Sequence, residues 1–202
     1  GFAVVDYRRV DARLGNWVDL EALAEDYRLM VDLVINHVSS YSRWFDCYSS
    51  GMAPERHYFI EVDPKTDLSG VVRPRTSALL RPVQTPHGQR YVWATFGHDQ
   101  IDVDFSNPDV LFEYLDILLF YVHHGAQIVR LDAIAYLWKQ LGTACIHLPQ
   151  THEVVKLLRD LLTLVAPTVL VITETNVPHA ENISYFGEGD EAHMVYQFSL
   201  PP

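Results

Sequence analysis

The sequence predicts an α/β protein built on a parallel sheet. Three observations carry this: apolar runs that do not alternate with polar residues, helix-period segments between them, and polar clusters closing the runs. A strand covered on both faces reads as a continuous apolar stretch, and strand–helix alternation joins parallel strands. The pattern fits an open sheet or a closed one.

The runs are Leu29–Ile35, Ile128–Leu131, Thr168–Ile172 and His193–Phe198, each read as a buried strand. Before the first, Asp19 is placed to cap a helix carrying Leu20, Leu23, Ala24 and Tyr27. Asn107-Pro108-Asp109 reads as a helix start, with a capping residue, Pro at the first helical position and an acid in the first turn. Leu111, Phe112, Leu115, Leu118, Leu119 and Val122 then recur at three and four, and Gly125 can end the helix. Thr151 opens another, with Val154, Val155, Leu158, Leu161, Leu162 and Val165 on one side and Pro167 beyond its end. Residues 38–106, rich in Ser, Pro, Gly, Arg and aromatics, are far too long for a βα loop and read as a functional loop or a small subdomain between segments 1–37 and 107–202.

Composition excludes several classes. With 202 residues, 49% of them hydrophobic, the chain can bury a substantial core, yet a whole (β/α)₈ barrel needs about 250. A start without Met and an end straight after an apolar run suggest a piece of something longer. Such a piece would expose sheet edges, which predicts no activity alone and either self-association into a homo-oligomer or completion by the rest of a longer protein. A net charge of −11 argues against nucleic acid and anionic membranes, both of which need a cationic surface. No stretch of about 20 apolar residues exists. Cys47 and Cys145, far apart, read as two reduced thiols in a cytoplasmic protein.

The chemistry lies where the strands end. Asp32…Asn36-His37 closes the first run, Arg130-Leu131-Asp132 the second, and Glu174 the third. The alternation puts Arg130 and Asp132 on one side of a buried strand, where charge must be paired or functional. A structural ion pair is the alternative. Two carboxyls on successive strands are what glycoside cleavage with retention requires: one attacks the anomeric carbon and the other protonates the leaving oxygen. Arg130 is expected to keep Asp132 ionised, and Glu174, partly desolvated, to hold its proton. His37 reads as a neutral donor for a sugar hydroxyl, with turn chemistry or a satisfied structural histidine as the alternative.

In this order, and separated by an insertion, these clusters resemble the α-amylase superfamily, glycoside hydrolase family thirteen. The resemblance implies a partial TIM (β/α)₈ barrel, about strands three to six, with a B-type subdomain inserted after the third strand. Val129–Tyr136, Gly142–Cys145, Glu174–His179, Glu181–Gly187 and Gln197–Pro202 are similar to the branch that holds sucrose and glucosylglycerate phosphorylases. It implies retaining transfer of glucose from sucrose or a related α-glucoside to inorganic phosphate, with no cofactor and no metal. A hydrolase or transglucosidase with the same carboxylates is the alternative. Asp132 then matches the nucleophile, Glu174 the acid/base, Arg130 the residue orienting the nucleophile, and His37 a contact to the glucosyl unit. Phe96 and Tyr136 align with aromatics near the cleaved bond and Gln100 with a polar contact beside them; core packing is the other reading of both rings.

The sequence departs from the family in lacking a His-Asp pair after a seventh strand and in lacking strands one, two, seven and eight. His98-Asp99 lies in the insertion and is read as loop chemistry. Asp102 and Asp104 invite a calcium reading, but two acids do not make a site of six to eight oxygens. His123-His124 suits a helix C-terminus better than a metal. Trp44 and Trp93 read equally as sugar platforms or as core.

Overall fold

The computed structural model describes residues 2–198, grouped into two compact units. One comprises residues 8–35, 114–135 and 147–198, the other residues 2–7, 36–113 and 136–146.

The first of these is the β/α unit. Its strands β1 (Leu29–Val34), β6 (Ala126–Asp132), β7 (Leu170–Thr173) and β8 (Met194–Val195) form one parallel sheet in the order β1-β6-β7-β8. The predicted runs are these strands with shifted bounds. The third begins at Leu170 rather than Thr168, and the fourth holds only two strand residues. The first was expected to be buried throughout; instead Met30 is 53% exposed and burial begins at Leu33.

Helix α1 (Trp17–Asp26) is capped by Asn16, not Asp19. Asn16 Oδ1 accepts from the Val18 N–H at 2.8 Å, and Asp19 returns the bond to the Asn16 N–H at 2.8 Å. Both residues are capping types, and the reciprocal box puts the acid at the third helical position. Helix α3 (Pro108–His123) starts at the predicted Pro. Gly125 follows at φ +90°, and a Cβ there would meet Ala24 Cβ at 2.8 Å, so both conformation and space call for glycine. His124 stacks on Trp17 with ring centroids 4.9 Å apart and reaches Glu21 at 2.5 Å. Helix α4 (Pro149–Val165) starts two residues before Thr151 because Pro149 fills its first position. Val155, Leu158 and Leu162 on α4, with Val129, Leu131 and Val171 on the strands, are buried.

The inserted unit has two small antiparallel sheets. Strand β2 (His37–Ser39) pairs with β5 (Gln100–Asp102), and β3 (Leu80–Thr85) with β4 (Gly88–Trp93). Helix α2 (Arg43–Ser49) adds Phe45 and Tyr48, which pack against Phe59 at centroid distances of 5.2 Å each. Trp93 is buried with Val62, Leu79 and Cys145 and donates to Thr95 Oγ1 at 3.1 Å, so it is core and not a sugar platform. Trp44 packs against Tyr7 and Tyr58. Asp99 accepts from Ser39 and Ser40, the loop chemistry expected of it.

Candidate active site

In the β/α unit the ends of β6 and β7 bring Arg130, Asp132 and Glu174 together. The two-residue period of β6 points Arg130 and Asp132 the same way, and Arg130 Nη1 donates to Asp132 Oδ1 at 3.2 Å. The pairing of β1 with β6 sets Asp32 opposite Arg130, and that contact is closer, at 2.6 Å. Arg130 also lies over the Tyr196 ring, 5.5 Å from its centroid. Glu174 follows β7; its N–H donates to Leu131 O at 3.0 Å. Its Oε2 accepts from the Ala133 N–H at 3.1 Å, so the peptide after Asp132 holds the second carboxylate.

Asp132 is pushed up to about 6 by burial first and then by the nearby Glu174 charge, with Arg130 opposing. Arg130 lowers the carboxyl but does not outweigh desolvation. One reason is geometric: its closer partner is Asp32.

In the inserted unit His37, Phe96, Gln100 and Tyr136 form a second cluster. His37 and Phe96 have ring centroids 5.3 Å apart, and Phe96 meets Tyr136 edge-on at the same distance. The Gln100 amide lies 2.9 Å from His37 Nε2. Burial pulls the His37 ring below its ordinary value, more than Asp102 raises it, which agrees with a neutral imidazole. Asp102 is fully buried and spends its oxygens on Thr95, Asn36 and Lys139. Sequence reasoning weighed it only as a calcium ligand and passed over Lys139 altogether. A lone Lys at the end of an aromatic stretch carries no local signal. A cavity of about 470 Å³ in the same unit, lined by Tyr48, Arg56, Glu61, Arg90 and Asp104 among others, contains none of the residues assigned to catalysis or sugar binding from sequence.

Comparison with known proteins places the chain in a family. The model of the α-amylase catalytic domain matches residues 1–201. The chain belongs to the α-amylase family. Among α-amylase family relatives, it is 58% identical over its whole length to a glucosylglycerate phosphorylase of Spirochaeta thermophila, of which it covers 34%. It is 30% identical, again over its whole length, to a sucrose phosphorylase of Bifidobacterium adolescentis, covering 41% of that protein. The chain thus spans between a third and two fifths of these relatives. The crystal structure of sucrose 6F-phosphate phosphorylase from Thermoanaerobacter thermosaccharolyticum superposes with a TM-score of 0.85 at 24% identity, over 98% of this chain and 43% of that one. The fold is that of the α-amylase family barrels, and the parallel sheet here is part of a (β/α)₈ barrel.

Proposed function

We propose that this chain carries the two catalytic carboxylates of a retaining α-glucosyl phosphorylase. The observation that carries the reading is the triad at the ends of β6 and β7, where Arg130 contacts Asp132 at 3.2 Å and Glu174 is held by the peptide that follows Asp132. Asp132 attacks the anomeric carbon as the Glu174 carboxyl protonates the leaving oxygen. Phosphate, deprotonated by Glu174, then displaces Asp132, and two inversions return the α configuration. His37 contacts the glucosyl unit, with Phe96, Gln100 and Tyr136 beside it, and residues 38–106 serve as the B-type subdomain.

The likeness at 58% to a glucosylglycerate phosphorylase, against 30% to a sucrose phosphorylase, favours glucosylglycerate over sucrose as the glucosyl donor. The test uses the full-length protein with each donor, with and without inorganic phosphate, and proton NMR of the first product. Phosphate-dependent release of α-glucose 1-phosphate from glucosylglycerate is expected. Free glucose at equal rates without phosphate would make the enzyme a hydrolase, and a β-configured product would overturn the two-step path.

A further inference from the structure

Lys139 has no part in the chemistry proposed above, yet its side chain is only 3% exposed. It lies 2.5 Å from Asp102 Oδ2 and 2.6 Å from Asn36 Oδ1. A buried ammonium persists only when paired and hydrogen-bonded, and Asp102 supplies the charge. The second contact does something different, because it orients an amide. With Oδ1 on the ammonium, the NH₂ of Asn36 must face the other way. There it meets Asp102 Oδ2 at 3.0 Å and His37 Nδ1 at 3.2 Å. A ring nitrogen facing an N–H donor has to accept, so the neutral imidazole carries its hydrogen on Nε2. That hydrogen finds the Phe2 carbonyl oxygen at 3.0 Å, which can only accept. The Gln100 amide, also beside Nε2, has no second side-chain partner among the described residues and can turn its oxygen to the ring.

We propose that Lys139 is a positioning residue: through the amide of Asn36 it fixes the tautomer of His37 with the hydrogen on Nε2. The tautomer is a property of the folded protein alone. Its kinetic consequence rests on the reading of His37 as a contact to the glucosyl unit, since only one tautomer offers an N–H from that nitrogen, to the Phe2 carbonyl here and to a sugar oxygen in its place.

The test is a double substitution that reverses the instruction while keeping the buried site neutral, Lys139→Met with Asp102→Asn. The Thr95 N–H, 2.9 Å from Oδ1 of residue 102, keeps an oxygen there and turns the new NH₂ toward Asn36. Asn36 must then present its oxygen to both neighbours, and the His37 hydrogen has to move to Nδ1. Ring-¹³C-labelled histidine in the full-length protein reports the tautomer by NMR, with the His37 signal assigned from its loss in His37→Gln. Expected are Nε2–H in the parent, Nδ1–H in the double variant, and a mixture in Asn36→Ala, which leaves the Lys139–Asp102 pair in place. Nδ1–H in the parent, or unchanged Nε2–H in the variants that fold, overturns the proposal. If the double variant does not fold, the parent and Asn36→Ala decide it. Where the tautomer inverts, KM for the glucosyl donor should rise about tenfold, the effect of losing one hydrogen bond to a sugar. An inverted tautomer with KM unchanged would remove His37 from the sugar site and leave the role of Lys139 standing.

Discussion

Ala133 holds φ at +55°, and from that left-handed position its backbone N–H donates to Glu174 Oε2 at 3.1 Å. A side chain at such a φ costs about 1–2 kcal/mol, and this one is also buried. The strained peptide therefore joins the candidate nucleophile to the candidate acid/base. Ala133→Gly relieves the conformation and keeps the N–H, so it should leave the thermal midpoint unchanged or slightly raised, with turnover retained. Ala133→Val places a β-branched residue where φ is positive and should lose more than about 2 kcal/mol together with most turnover. Thermal unfolding and initial rates of the two variants check this; equal behaviour would dismiss the strain.

Asp132 makes stability depend on pH. Its carboxyl, ordinarily at 3.8, is raised to about 6 in the folded chain. Between those values the folded state binds more protons than the unfolded one, so stability falls as pH rises across that window. The penalty is complete above pH 6 and amounts to about 2 kcal/mol after allowance for solvent screening. Asp132→Asn carries no such charge. It should unfold at a higher temperature than the parent at pH 7–8, with the difference shrinking to nothing below about pH 4. A difference independent of pH would mean that the raised value is wrong.

Glu174→Gln preserves shape and the bond from Ala133 but removes the proposed proton donor. Turnover of natural glucosides should fall on the order of 10²–10⁴-fold. Donors with acidic leaving groups, which need no protonation, should keep most of their first-step rate. Burst kinetics with an aryl glucoside separates the steps, and equal losses for every leaving group would reduce Glu174 to a binding residue.

Arg130 is shared between Asp32 at 2.6 Å and Asp132 at 3.2 Å. Removing it with Arg130→Ala takes away the only opposing charge on Asp132 among the causes of its shift, so the acid limb of the pH–rate profile should move upward from about 6. Formation of the glucosyl-enzyme should suffer more than donor binding. Asp32→Asn frees the guanidinium for Asp132 and should move the same limb downward. Profiles that coincide with the parent would show that Arg130 does not tune the nucleophile.

Apolar runs and helix periods are written in consecutive residues, so the alternation of strands and helices is legible in the sequence alone. The spacing of Arg130 and Asp132 follows from a two-residue period, and both proved to face the same way. Glu174 closing a run likewise came out next to that pair. Cap choice was less legible, because Asn16 and Asp19 are both capping residues and only the reciprocal bonds assign their places.

The tertiary structure decided what depends on register and burial. Asp32 meets Arg130 across 98 positions of sequence, and Lys139 meets Asn36 across 103. No local pattern encodes such pairs; the register of β1 on β6 creates the first, and the path of the chain after β6 the second. The ionisation of Asp132 belongs to the same class. Sequence placed Arg130 beside it and suggested an ionised carboxylate. Desolvation, the larger effect, exists only once distant segments have closed around the strand. The sequence by itself thus determined which groups stand at the strand ends, and the folded chain determined how they are charged, because charge depends on every neighbour and spacing on only a few.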